Sequence, residues 1–160
     1  MKSAPKTIII SGTTRNIGKT TFACQLIKKY KSEGVIAIKL SPHFHNLNSD
    51  AVVVANNDDF IIAKEHRIDS NKDSSRMLKA GAKEVYFIIV EDENLQKLVD
   101  YLENIIDFNS RIIIESAAIR RCIKPQLFYL VYNTDNPNIK SKNIDLESYI
   151  DFRMNSKEIF

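Results

Sequence analysis

Short apolar runs separated by helix-type spacing constrain this chain more than any other feature. Ile8 to Ser11, residues 35–40 ("VIAIKL"), 84–90 ("EVYFIIV"), 111–116 ("RIIIES") and 126–133 ("QLFYLVYN") are each too short for a helix and rich in β-branched or aromatic residues. Most are apolar at consecutive positions, as strands buried on both faces are. Between them the period changes. Phe22, Leu26, Ile27 and Tyr30 fall on one helical face, with Gly34 where a C-cap belongs. Residues 74–80 predict a short helix capped by Asp73 or Ser74. In 94–106, Leu95, Leu98, Val99, Leu102, Ile105 and Ile106 predict a longer one. Two β-type runs around Asn56-Asn57-Asp58-Asp59 predict a hairpin over 51–64. Strands alternating with helices predict an α/β fold: a mostly parallel sheet, helices on both faces and a small β-hairpin insertion.

With 160 residues, 44% hydrophobic and 27% charged, the chain is expected to form one domain over 1–160, with a polar tail from 137 to 160. Tyr149, Ile150 and Phe152 are the tail residues able to dock. The formal net charge of +3 does not argue for nucleic acid and suits a small anion equally well. Cys24 and Cys122 stand in apolar surroundings without metal-like spacing and read as small core residues. The opening residues carry too short an apolar run for a signal peptide, and no stretch approaches a membrane span, so a cytoplasmic protein without a membrane partner is expected.

The first run leads into "SGTTRNIGKTTF", residues 11–22. A polar loop ending in Gly18-Lys19-Thr20, between a buried strand and a helix, is the setting in which a chain cradles phosphate. Unpaired N–H groups and the positive dipole end at a helix start suit phosphate oxygens. Gly18 allows close backbone approach, Lys19 adds a point charge, and the Thr20 hydroxyl is a hard oxygen ligand for magnesium. The expected nucleotide-binding set is Gly12, Thr13, Thr14, Arg15, Asn16, Ile17, Gly18, Lys19, Thr20 and Thr21.

Five residues separate Gly12 from Gly18, one more than in the commonest phosphate loop. In this "GTTRNIGKT" resembles the GTxTxxGKT loop of dethiobiotin synthetases. Three further stretches resemble the molybdopterin-guanine dinucleotide biosynthesis protein B family, which has a P-loop of the same class. They are "GVIAIKLSPHFH", "NKDSSRMLKAGA" (71–82) and "IKPQLFYLV" (123–131). The likeness spans roughly residues 7–132 and implies a single-domain P-loop NTPase fold. Two departures stand out. That family's Glu-Gly is Glu115-Ser116 here, and Asn133-Thr134-Asp135-Asn136 occupies the place of a guanine-reading Asn-Lys-x-Asp.

Glu115 ends a buried strand, at the sheet edge where ligands bind in such folds. "ESAA" is similar to the Glu-Gly-Ala-Gly of dethiobiotin synthetases, which implies a magnesium role for Glu115 beside Thr20. Lys39 also ends a strand and resembles the phosphate- or substrate-contacting lysine of both families, or else is a solvated strand end. Lys19, Lys39 and Glu115 are thus the expected catalytic residues. Asn133 holds the position where this class places a base-contacting residue. Asp73 and Arg76 read either as a magnesium-side acid and phosphate clamp or as a cap and a surface charge. His43 and His45 follow the strand of Lys39, and with His66 they do not make a closed zinc set, so substrate contact or plain loop chemistry is expected of them. Arg120 and Arg121 follow Glu115. With Lys39, His43, His45 and Arg76 they form the candidate set for an anionic acceptor, or else a solvated basic patch.

The expected ligand is a nucleoside triphosphate, ATP or GTP, with Mg²⁺. Three functions stay open: slow hydrolysis accessory to cofactor biosynthesis, a small-molecule kinase or ATP-dependent ligase, and a nucleotide-binding regulatory module. Proteins of this class often dimerise, so a homodimer is among the expected partners.

Overall fold

Ile8, Ile9 and Ile10 send their side chains alternately to two hydrophobic cores, one on each face of a sheet. The computed structural model describes residues 1–43 and 51–159. Among these, eight strands form one sheet: β1 (Lys2–Gly12), β2 (Ile36–Ser41), β3 (Val52–Asn56), β4 (Phe60–Lys64), β5 (Glu84–Val90), β6 (Ile112–Glu115), β7 (Ile123–Tyr132) and β8 (Phe152–Asn155). Their order is β3-β4-β5-β2-β6-β1-β7-β8. The β3–β4 and β4–β5 pairs are antiparallel, and every other pair is parallel. The hairpin expected over 51–64 is β3–β4, closed by Asn57, whose side-chain oxygen accepts from the amides of Asp59 and Phe60.

Helices cover both faces. Phe22, Ala23, Leu26 and Ile27 of α1 (Lys19–Tyr30) and Met77 of α2 (Asp73–Lys79) pack on the face of Ile8, Ile10 and Ile113. Leu95, Leu98, Val99 and Leu102 of α3 (Leu95–Leu102) pack on the face of Ile9, Ile38 and Ile114. No helix among the described residues is long and apolar enough to cross a membrane.

The chain crosses from β1 through α1 to β2, moves outward to β5, and returns to insert β6 between β2 and β1. This return places the carboxyl ends of β1, β6 and β2 side by side. Such a crevice at the carboxyl edge is where open α/β sheets bind ligands.

Several boundaries differ from the sequence reading. The helix of 94–106 is only Leu95–Leu102, preceded by a 3₁₀ turn at Asp92–Asn94. Past Leu102 the chain tightens into turns, in which Asn104 donates to Tyr101 O and Ile105 to Leu102 O, and Ile106 and Phe108 reach the core. Neither Asp73 nor Ser74 caps α2: Lys72 is its N-cap residue, without a side-chain cap bond. The Ser74 hydroxyl donates instead to Glu65 Oε1, and Asp73 faces Lys39. β7 starts at Ile123, ahead of Pro125, because β8 pairs only with Tyr129–Tyr132 and leaves Pro125 on an open edge. Gly34 is a C-cap as expected, at φ 70°, one 3₁₀ turn beyond α1.

The tail is more ordered than its polarity suggests. Residues 137–149 cross the sheet edge on buried Ile139, Asn143 and Leu146, and β8 then joins the sheet. Tyr149 and Phe152, the expected docking residues, stay about half exposed; Phe152 stacks on Tyr129 and the Arg120 guanidinium lies over Tyr149. Ile150 packs partly buried against the core.

At the opposite, amino-terminal edge, the buried Arg111 side chain donates to Lys6 O (3.0 Å) and Gln126 Oε1 (2.7 Å) and pairs with Glu33. Its guanidinium also lies 4.2 Å from the Tyr30 ring centre. These contacts tie the end of α1 to the strands, far in the fold from the carboxyl-edge crevice. Arg111→Ala is expected to lower unfolding stability by about 2–3 kcal/mol in urea titration, the scale of lost hydrogen bonds to a buried charge. Ligand binding at the other edge should be unchanged.

Candidate functional site

Between β1 and α1 the chain makes a loop that leaves most of its amides without an acceptor among the described residues. The Thr13 amide donates to Val131 O (3.0 Å), which fixes the entry, and buried Ile17 anchors the middle. Asn16 (φ 56°) and Gly18 (φ 114°) take left-handed conformations, which glycine adopts freely and asparagine tolerates. Among the described residues the amides of Thr14 to Lys19 donate to no carbonyl or side chain, and α1 has no side-chain cap. The Thr13 hydroxyl is buried without a partner as well. A row of undirected N–H groups at a helix start is an anion-binding concavity.

Lys19 folds back over this loop, and Gly12 makes that possible. A Cβ on Gly12 would lie 2.7 Å from Lys19 Cδ and 2.8 Å from Ile17 Cγ2. Among the described residues the Lys19 ammonium has no ion pair or hydrogen bond. Burial pushes its pKa below the ordinary 10.5, helped by Lys39 and Lys140, while Glu115 and Asp73 oppose the shift.

Glu115 is the hub of the site. It is 3% exposed, at the end of β6, and its register partners are Ile10 on β1 and Lys39 on β2. The Thr20 hydroxyl donates to Glu115 Oε2 at 2.8 Å, and Lys39 Nζ donates to Oε1 at 2.5 Å. Lys39 also pairs with Asp73 at 3.1 Å, Asp73 with Arg76 at 3.6 Å, and Arg76 donates to the Thr21 hydroxyl at 2.9 Å. A polar chain thus leaves α1 at Thr20 and returns to it at Thr21. Burial works against the charge on Lys39, but Glu115 and Asp73 outweigh it and hold its pKa above the ordinary value.

The site opens into a cleft of about 890 Å³ in which seven lysines and arginines face three carboxylates. The near-neutral whole-chain charge therefore hides a strong local excess of cations. Of the expected residues, Arg15, Asn16, Gly18, Lys19, Thr20, Thr21, Lys39, His43, Arg76 and Glu115 line it, as does Asp73. Asp73 is thus no helix cap, and both Asp73 and Arg76 line the cleft.

Others lie elsewhere. Arg121 is held by both oxygens of Asp145 (2.8 Å each), and Arg120 by Ile123 O and the Tyr149 ring; neither lines the cleft. The reason is local: a 3₁₀ turn, Ala118–Arg121, follows β6, and the acids and carbonyls of 123–149 take up both side chains. Asn133 closes its own turn by accepting from the Asn136 amide, outside the cleft lining. The His66 amide donates to Glu65, and His66 is likewise outside the lining. His45 falls outside the described residues. The sequence reading missed Lys140 and Lys142, which reach the cleft from the segment after β7. Burial and neighbouring Lys142, Arg15 and Lys39 lower the pKa of Lys140.

The donor set can be tested against a metal. Among the described residues no group of three or more His, Cys, Asp or Glu side chains could enclose an ion. Thr20 and Glu115 supply adjacent hard oxygens, which fits magnesium, an ion that takes few protein ligands and completes its shell with water and phosphate. A scan of protein-family models and searches of curated proteins and of solved structures matched nothing.

The loop geometry makes one substitution diagnostic. Gly12→Ala should keep the fold at some cost in stability, because it must displace Lys19 and the buried Ile17. Inorganic pyrophosphate is expected to raise the melting temperature of the parent protein and to leave that of Gly12→Ala unchanged.

Proposed function

We propose that this chain is a P-loop nucleotide-binding protein that takes a magnesium nucleoside triphosphate, ATP or GTP, and hydrolyses it slowly. The role suggested is accessory to cofactor biosynthesis, as in the molybdopterin-guanine dinucleotide biosynthesis protein B family that its motifs resemble. The observation that carries this reading is the pairing of two features: undirected loop amides beneath an unpaired, desolvated Lys19, and a Thr20–Glu115 hydrogen bond of 2.8 Å beside them.

Each residue has a physical task. The amides of 14–19 and the Lys19 ammonium hold the phosphate oxygens. Arg76, tied to Thr21, adds a cation at the same helix start. Thr20 and Glu115 would hold magnesium, which when bound neutralises phosphate charge as it develops in phosphoryl transfer. Lys39, kept charged by Glu115 and Asp73, places a fixed positive charge on the acceptor side. No side chain forms a covalent intermediate; positioning and charge carry the reaction.

A second reading, a small-molecule kinase or ATP-dependent ligase of dethiobiotin-synthetase type, is favoured by Lys140 and Lys142 beside Lys39 at the cleft. Nucleoside diphosphate release without a second substrate supports hydrolysis; release only with an added carboxylate or phosphate metabolite supports transfer. A panel of nucleotides with and without Mg²⁺, read as melting temperature, reports binding to the folded state directly. No shift with any nucleotide would remove both readings.

Lys19 links affinity and stability in opposite directions. Its folded pKa is depressed, so the unfolded chain holds that proton more tightly, and the charge costs stability below about pH 10.5. Lys19→Met is therefore expected to abolish nucleotide binding while keeping or raising the melting temperature. For the parent, nucleotide affinity should fall as pH climbs from neutrality towards 10.5, because binding needs the proton that burial loosens. Lys39 cannot cause that fall, because its pKa is raised; Lys140 at the same cleft also has a lowered pKa, so the fall should persist in Lys140→Ser. Affinity flat across this range would contradict the role given to Lys19.

Glu115→Gln keeps the shape of the hub and removes its charge. Turnover with magnesium should fall by at least about a hundredfold, the scale of losing one well-placed electrostatic group, with nucleotide affinity reduced far less. An equal loss in affinity would move Glu115 from metal to phosphate organisation.

A further inference from the structure

The segment after β7 brings cations to the site that the phosphate loop does not use. Residues 137–149 are pinned across the sheet edge by Ile139, Asn143 and Leu146, all buried. Arg121 clamps the same segment: its Nη2 donates to Lys142 O (3.0 Å), Asn143 Oδ1 (3.3 Å) and Asp145 Oδ1 (2.8 Å). Lys140 and Lys142 project from this fixed stretch, and among the described residues neither has an ion pair.

Both border a smaller pocket beside the loop, about 130 Å³, whose wall also includes Ser41, Ser116 and the ammonium-bearing Lys19 and Lys39. That volume is far above the roughly 10–15 Å³ needed by one water. Two carboxylates also line it, Glu115 and Asp92. Glu115 is taken by Thr20 and Lys39, and Asp92 lies 4.0 Å from Arg121 Nη1. Four lysines therefore face two acids that already have partners, on a segment held in place by hydrogen bonds and buried anchors.

We propose that this pocket is a second oxyanion subsite, in which Lys140 and Lys142 hold the phosphate or carboxylate group of a small acceptor next to the phosphate loop. The word acceptor rests on the nucleotide reading above; the binding of an oxyanion does not. Lys39 borders both spaces, so a group held here lies beside whatever the loop holds. Two ammonium groups carried on a held backbone segment can donate charge-assisted hydrogen bonds to a compact anion.

The test uses the whole chain and inorganic phosphate, titrated by calorimetry against the parent, Lys19→Ala, and Lys140→Ser/Lys142→Ser. Lys142 is exposed and Lys140 only half-buried, so the double variant should match the parent in melting temperature. Lys142→Ser alone provides a milder check. The expected result is two phosphate sites in the parent. One is lost in Lys19→Ala; the other survives there and weakens at least about tenfold in the double variant. Parent-like phosphate binding in the double variant would overturn the proposal. So would a single parental site that disappears in Lys19→Ala. A loss of magnesium-nucleotide affinity in the double variant equal to its loss for phosphate would also overturn it, since the lysines would then serve the nucleotide. Failure of every nucleotide to bind, with the lysine-dependent phosphate site intact, would remove the nucleotide reading and leave this one standing.

Discussion

One buried carboxylate organises the carboxyl edge of this sheet. Glu115 accepts from Thr20 on one oxygen and from Lys39 on the other, so a single side chain ties α1, β2 and β6 together. A carboxylate at 3% exposure is tolerable only with both oxygens satisfied. The same arrangement determines what the site can do. Any cation that recruits Glu115 must compete with Lys39, and Lys39 has a second carboxylate, Asp73, to fall back on. The polar chain through Asp73, Arg76 and Thr21 therefore gives Lys39 somewhere to go without becoming an unpaired buried charge.

Lys19 stands in the opposite condition. It is desolvated, close to other cations and without an ion pair among the described residues. Folding by itself gives no reason to keep an ammonium there, and the neighbouring Gly12 forgoes a side chain so that it can lie where it does. Sites that sacrifice stability locally are typically sites of binding, because the cost is recovered when a partner arrives.

Much of this was legible in the chain itself, for reasons that differ by residue. Glu115 ends its strand as expected, while Lys39, its register partner, stands two residues before the end of β2; both lie near the carboxyl edge, where parallel sheets bind ligands. The loop was legible because Gly18, Lys19 and Thr20 each have a separate physical use at that spacing. Lys140 and Lys142 were not legible, because nothing local marks a polar stretch as one that doubles back; its anchors, Ile139 and Leu146, are isolated apolar residues without a period. Arg120 and Arg121 misled for the converse reason. Their position after β6 placed them near the edge, but a 3₁₀ turn and Asp145 decided where they point. Asp73 looked like a helix cap and became a partner of Lys39, because an ammonium on the adjoining strand outcompetes a backbone amide for a carboxylate.

The way β8 closes the sheet has a consequence for how the chain can be handled. β8 covers Tyr129–Tyr132 of β7, and just ahead of it the Asp151 amide donates to Phe128 O while the Phe128 amide donates to the Asp151 carboxylate. Gln25 of α1 reaches the carbonyl of Ile159 beyond it. Shortening the chain to the last strongly apolar strand would leave β7 with open hydrogen-bonding groups beside Tyr129 and Val131. An uncovered edge of that kind recruits other chains. The final stretch thus moves the open edge of the sheet from the apolar Tyr129–Tyr132 to the more polar Phe152–Asn155.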